Sequence, residues 1–88
     1  MKSLNILGKE YEIKGQPKRY MGGDIGTGSS TNQVITFDET LKKDQRAETI
    51  LHEMIHIVDQ ELGLGMTEEQ VSRLAVGLYA SDLMGIYR

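Results

Sequence analysis

His52-Glu53-Met54-Ile55-His56 contains both histidines of the 88-residue chain, four positions apart, with a glutamate directly after the first. On an α-helix, residues four apart lie one turn apart on the same face, so the two imidazoles can close on one metal ion. This is the HExxH pattern of zinc sites, in which the glutamate stands beside the metal and accepts a proton from water. The alternative interpretation is an amphipathic helix that carries two surface histidines.

The residues around this stretch predict a helix from about Lys42 to Gly63. Apolar residues recur at i, i+3 and i+4 and form one core-facing stripe, with a polar flank beside it. We expect Asp44 to cap the start, or the helix to begin earlier near Thr40, and Gly63 to end the helix because glycine adopts positive φ easily. The stripe comprises Ala47, Ile50, Leu51, Met54, Ile55, Val58 and Leu62, and the flank comprises Glu48, Thr49, His52, His56 and Asp59.

A second helix is predicted after a short link. Thr67-Glu68-Glu69-Gln70 has the capping-box pattern, with Thr67 as the N-cap and Gln70 at the third helical position. We expect this helix to continue to about Met84. Its predicted core residues are Val71, Leu74, Ala75, Leu78 and Leu83.

The N-terminal half predicts a small, mostly antiparallel sheet. Apolar and polar residues alternate in residues 4–6 and 11–13 on either side of a turn at Gly8-Lys9, and residues 33–38 form a β-branched third strand. Between them, residues 20–32 are rich in Gly, Ser and Thr, which favours a mobile hairpin loop. A phosphate-binding loop is the alternative, and it is disfavoured because no Gly-Lys-Ser/Thr sequence follows.

Length and composition favour a single α+β domain of residues 1–88, with the sheet packed on two helices around a small core. The absence of cysteine excludes disulfides and thiolate zinc ligands. A net charge of −3 gives no basic surface for nucleic acid. No apolar run approaches the ~20 residues that cross a bilayer, and the first residues lack the pattern of a signal peptide. We therefore expect a cytoplasmic protein that binds neither nucleic acid nor membrane.

A catalytic zinc site normally takes three protein ligands, so the two histidines need a third group. The extended HExxHxxGxxH pattern is not met, because Asp59 stands at the glycine position and Leu62 at the position of the third histidine. The remaining scheme takes a glutamate from the following helix. We predict Glu69, with Glu68 as the alternative. An acidic first turn stabilised by the helix dipole would also explain both glutamates.

These residues resemble the HExxH zincins with a glutamate ligand, and in particular the ImmA/IrrE-like metallopeptidases and the compact phage and prophage proteins related to them. The similarity covers residues 34–79: a strand, the helix with Thr49-Ile50-Leu51-His52-Glu53-Met54-Ile55-His56, and residues 68–75 of the second helix. The resemblance implies a zincin-like minimal domain in which residues 34–37 pair with an extended substrate. A second register of the same comparison places Gln70 at the ligand position.

The sequence thus predicts a zinc-dependent metallopeptidase that acts on a protein or peptide substrate. Zn²⁺ would be bound by His52, His56 and Glu69, and Glu53 would be the general base of the hydrolase reaction. Two alternatives stay open. One is a zinc-stabilised interaction module without turnover, and the other is a metal-free binding protein that keeps the helix as a scaffold.

Four further residues are candidates for supporting roles. Asp59 could accept an imidazole N–H, as carboxylates near zinc ligands often do, although a solvated acid on the helix flank is the favoured interpretation. Tyr20, Tyr79 and Tyr87 could each offer a hydroxyl to a developing oxyanion, and packing is favoured for all three.

Overall fold

A computed structural model describes residues 3–81 as one sheet and two helices. The α+β class is therefore confirmed, while the predicted end of the second helix, with Leu83 and Met84, lies outside the described residues. The strands are β1 (Ser3–Ile6), β2 (Lys9–Gln16), β3 (Gly26–Ser29) and β4 (Val34–Asp38), and the helices are α1 (Lys43–Leu62) and α2 (Glu68–Ala80).

The four strands lie in the order β1-β2-β4-β3. The β1–β2 pair is antiparallel, as predicted. The β3–β4 pair is also antiparallel, and β2 pairs with β4 in parallel, with Ile13 opposite Ile35. Parallel neighbours need a connection that returns the chain to the same end of the sheet. Residues 17–33 make this connection, and they include β3 and a short 3-10 turn at Lys18–Tyr20.

A two-residue turn joins β1 to β2. Leu7 and Gly8 both have positive φ, at 52° and 84°, which is the backbone that a primed hairpin turn requires. The side chain of Asn5 accepts the amide N–H of Gly8 at 3.0 Å. The turn thus lies one residue earlier than the sequence indicated.

Helix α1 packs against the sheet on one face and against α2 on another. Ile57 is buried in the core of the sheet side, and Ile55 is buried against Val71 and Ala75 of α2. Residues two apart on a helix point ~200° apart around its axis. The predicted single stripe therefore missed Ile57, which the sheet buries from the opposite side. Burial of one such side chain stabilises the fold by roughly 1.5–3 kcal/mol.

The observed helix ends can be compared with the predicted caps. Gly63 is the C-cap of α1 with φ at 63°, and Thr67 is the N-cap of α2, so both predictions are confirmed. The helix α1 begins at Lys43, close to the predicted start near Lys42, but its N-cap is Lys42 and not Asp44. The exposed side chains of Leu62 and Leu74 were also expected in the core, and both lie toward solvent.

Asp38 at the end of β4 organises the turn into α1. Its Oδ1 accepts the amide N–H of Thr40 at 2.9 Å and the Thr40 hydroxyl at 2.7 Å, so Thr40 belongs to this turn and the helix does not begin there. These hydrogen bonds lower the pKa of Asp38 below its ordinary value. Arg46 adds contacts from the first turns of α1 by donating to two backbone carbonyls of the same turn. The direction of α1 across the sheet is therefore fixed near its start.

Within residues 3–81, no helix combines the length and the apolar character that a bilayer crossing requires.

Candidate metal centre

His52 and His56 bring their Nε2 atoms together on one face of α1. The two Nε2 atoms are 3.1 Å apart, and the ring centroids are separated by 4.8 Å. Both side chains are partly exposed. The face of α1 that carries them lies between the face packed on the sheet and the face packed on α2. The imidazoles therefore point into the opening between the sheet and α2.

Glu68, the first residue of α2, contacts both imidazoles. Its Oε1 lies 2.8 Å from Nε2 of His52, and its Oε2 lies 2.8 Å from Nε2 of His56. One ligand atom from each of the three residues fits within 4.8 Å of the others. The first turn of α2 is held by the reciprocal capping box, in which Gln70 N–H donates to Thr67 Oγ1 at 3.1 Å and Thr67 N–H donates to Gln70 Oε1 at 2.9 Å.

Glu69, the predicted third ligand, does not reach the histidines. Its Oε1 lies 2.6 Å from Nη2 of Arg73, one turn further along α2. One residue turns ~100° around a helix axis, so Glu69 points away from α1 when Glu68 faces it. Gln70, the other alternative, is engaged in the capping box. The structure thus brings Glu68, and not the predicted Glu69, to the histidine pair.

Glu53 lies beside the cluster on the side of α1 that faces β3. Burial raises the pKa of its carboxyl group above the ordinary value, although the imidazoles of His52 and His56 act in the opposite direction. The carboxylates of Glu68 and Asp24 add a smaller upward effect. Glu53 is therefore a partly desolvated carboxyl group next to two nitrogen donors, without taking part in the convergent cluster itself.

Two glycines of β3 make room for Glu53. A Cβ atom on Gly26 would lie 3.5 Å from Glu53 Oε2, and a Cβ atom on Gly28 would lie 3.5 Å from Glu53 Oε1. The Gly26 position is also closed by the methyl group of Thr49, which an added Cβ would strike. The strand can therefore lie directly on the helix at Gly26 only because this position has no side chain, whereas a Cβ atom on Gly28 would make a tight contact 3.3 Å from Ile57 Cδ1.

The sequence prediction missed β3, because residues 20–32 were expected to form a loop. As a result, residues 34–37 were expected to form a free edge, whereas β4 lies inside the sheet between β2 and β3. The edge beside the histidines is β3. The alternation in Gly26-Thr27-Gly28-Ser29 was the available signal, since both glycines face α1 and Thr27 pairs with Thr36 of β4 through their hydroxyls.

A cleft of about 610 Å³ opens over the cluster. Residues 24–28 form one wall, and the other is formed by Glu48, Thr49, the histidines, Glu53 and Glu68. This volume lies within the range of sites that hold small ligands or short peptide segments. The cleft thus places an edge strand, a carboxyl group and the three convergent side chains around one space.

The other candidate residues lie outside this arrangement. The side chain of Asp59 accepts the backbone N–H of Met66 at 3.0 Å, so its described hydrogen bond goes to the link between the helices and not to an imidazole. Tyr20 is exposed and Tyr79 lies near Asp44, and neither lines the cleft. Tyr87 lies outside the described residues.

The donor set fits a zinc ion. Zinc binds imidazole nitrogen at ~2.0–2.1 Å and carboxylate oxygen at ~2.0–2.2 Å, and tetrahedral geometry then separates two ligand atoms by about 3.3 Å. The two Nε2 atoms are 3.1 Å apart. At this distance the Nε2–H group of one ring can also donate to the unprotonated Nε2 of the other, so the pair is compatible with a shared metal ion and with a hydrogen bond.

Comparisons with protein-family models, with curated proteins and with solved structures gave no match. The resemblance to HExxH peptidases therefore rests on the residues of the chain and on the geometry of their side chains.

The close approach of β3 to α1 predicts the effect of a single methyl group. Gly26→Ala should lower the free energy of unfolding by about 1–3 kcal/mol, the usual cost of overpacking, because the new Cβ collides with Thr49. Urea denaturation followed by circular dichroism measures the change. Gly77→Ala is the matched control, since Gly77 lies in α2 with open space around it. It should raise stability by up to ~1 kcal/mol. Equal stability of Gly26→Ala and the unchanged protein would contradict the packing described here.

Proposed function

We propose that the protein is a zinc-dependent peptidase, in which His52, His56 and Glu68 bind the metal and Glu53 is the general base. The observation that carries this proposal is the convergence of two imidazole nitrogens and one carboxylate in an open cleft. Two nitrogens and an oxygen are a donor set that zinc accepts readily, and three protein ligands leave a position for water or substrate.

A bound zinc ion supplies a Lewis acid that polarises the scissile carbonyl and lowers the pKa of a coordinated water toward ~7. The residues of the chain supply positions and proton transfer. Glu53 accepts the proton of the attacking water and returns it to the leaving amine, since a carboxylate beside the cluster can reach both. The side chain of Glu53 packs between α1 and the two glycines of β3.

The edge of β3 is the natural place for the substrate in this proposal. Among the described strands, β3 pairs only with β4, so its other edge leaves backbone donors and acceptors free along the cleft. An extended peptide can pair with such an edge through main-chain hydrogen bonds. This role replaces the one expected for residues 34–37. A peptide in that position would lie in the cleft, between β3 and the histidines.

The proposal is tested first by its ligands, with two neighbouring glutamates as a matched pair. Glu68→Gln should weaken zinc binding at least about tenfold, because the change removes a charged ligand. Glu69→Gln should leave zinc binding unchanged, because Glu69 contacts Arg73 instead. Competition with a chromophoric chelator measures both affinities on the full chain. Equal affinities in the two variants would contradict the assignment of Glu68, and failure of the unchanged protein to bind zinc would contradict the proposal as a whole.

A zinc-stabilised interaction module without turnover is the second candidate. It is favoured by the position of the cluster, which joins the start of α2 to the middle of α1 across a small apolar contact. A metal there would stabilise the helix pair even if no reaction took place. Cytoplasmic location and a relation to phage proteins also stay predictions.

A further inference from the structure

Asp59 gathers three backbone N–H groups from the link between α1 and α2. Its carbonyl oxygen accepts the N–H groups of Gly63 and Leu64, the latter at 3.0 Å. Its side-chain Oδ1 accepts the N–H of Met66 at 3.0 Å. The positive φ values of Gly63 and Gly65, 63° and 71°, let the chain turn back within this short link. Asp59 thus forms hydrogen bonds to three residues of the link that leads from α1 into α2.

This link joins the helix that carries His52 and His56 to the helix that carries Glu68. Asp59 lies one turn beyond His56 on α1, and Met66 lies two residues before Glu68. The side chain of Glu68 is 67% exposed, and its described contacts go only to the two imidazoles. Its neighbours on α2 therefore do little to orient the carboxylate. Its position depends mainly on where the backbone of α2 begins.

We propose that Asp59 is a positioning residue that places Glu68 over the histidine pair by fixing the Met66 backbone. The inference rests on the proposed metal site, and it assigns to Asp59 a role different from holding an imidazole. The capping box of Thr67 and Gln70 begins α2 but does not connect α2 to α1. The Asp59 side chain makes that connection, and Met66 extends it by packing against the apolar contact between the helices.

The test compares Asp59→Ala, which removes the acceptor, with Asp59→Asn, which keeps an oxygen at the same place. Zinc affinity of the full chain is measured by competition with a chromophoric chelator. Asp59→Ala should bind zinc ~10–100-fold more weakly, the effect usual for residues that orient metal ligands. The zinc affinity of Asp59→Asn should stay close to that of the unchanged protein, since the Met66 N–H keeps its acceptor.

A double-mutant cycle separates positioning from general destabilisation. In the background of Glu68→Gln, which keeps a neutral oxygen donor, the loss caused by Asp59→Ala should shrink to less than about threefold, because the ligand being positioned has already been weakened. A loss of the same size in both backgrounds would overturn the inference, as would an unchanged affinity of Asp59→Ala. If Asp59→Ala does not fold, Asp59→Glu takes its place in the cycle, because the longer side chain displaces the acceptor, and the same criteria apply.

The experiment also distinguishes this inference from the proposed function. Absence of zinc binding by the unchanged protein would overturn both. Zinc binding that depends on Glu68 but not on Asp59 would overturn only the role of Asp59. The thermal midpoints of the metal-free variants, measured in chelator, show whether a change in affinity accompanies a general loss of stability.

Discussion

Replacing Glu53 by glutamine is expected to lower the rate of peptide hydrolysis by at least ~10²-fold, the effect usual for loss of a general base. The amide has nearly the same shape as the carboxylate, but it cannot accept a proton from water. The cluster of His52, His56 and Glu68 should keep its metal, because Glu53 lies beside the three convergent side chains without being one of them. Cleavage is measured by mass spectrometry on a mixed peptide library incubated with the zinc-loaded protein.

The control for this prediction is Glu61→Gln. Glu61 lies on the same helix, is exposed and does not line the cleft, so its variant should cleave at the original rate. Elemental analysis verifies that all proteins carry equal zinc. Full activity of Glu53→Gln would remove Glu53 from the mechanism, and loss of zinc together with unfolding would make it a structural residue. A zinc-loaded, folded protein that cleaves nothing in the library would favour the interaction module.

Removal of zinc is expected to lower the thermal midpoint by about 15–30 °C. An ion present at about 1,000 times its Kd adds ~4 kcal/mol to the free energy of unfolding. In a domain of this size, each kcal/mol moves the midpoint by roughly 4–8 °C. The effect should appear in full because the cluster joins α1 to α2, and among the described residues the apolar contact between these helices has three buried side chains, those of Ile55, Val71 and Ala75. Circular dichroism melts with added zinc and with excess chelator provide the comparison.

His56→Ala is the control for chelation. It removes one ligand, so its midpoint should respond little to zinc or chelator. If the unchanged protein keeps its midpoint after elemental analysis shows that the metal has been removed, the site does not stabilise the helix pair, and the arrangement proposed here is wrong.

The sequence was most informative where the determinants are local. Helix spacing alone places His52 and His56 on one face, and the signals at Gly63 and Thr67 depend on neighbouring residues within one turn. The choice between Glu68 and Glu69 depends instead on how α2 is rotated against α1. That rotation follows from the burial of Val71 and Ala75 and from the path of the link, neither of which the local pattern shows.

The missed strand has a similar explanation. Glycine has low preference for strands, and residues 26–29 contain only one β-branched residue, Thr27, so they do not show the composition that identified β4. Their extended conformation comes from pairing with β4 and from packing on α1. Thr49 was assigned to a polar flank, yet it is buried against Gly26. The strand conformation of β3 and the burial of Thr49 both depend on tertiary contacts between β3 and α1, so the local sequence does not predict them.

The three convergent residues come from one continuous helix–link–helix segment, whereas the wall beside Glu53 comes from the connection between two parallel strands. Closing a short loop has a small entropic cost, and pairing distant strands in parallel is slow because the long loop must close before the contacts form. We therefore expect a folding chain to bring His52, His56 and Glu68 together before the sheet is complete. The wall that β3 provides beside Glu53 should form later, because it depends on the pairing of β3 with β4.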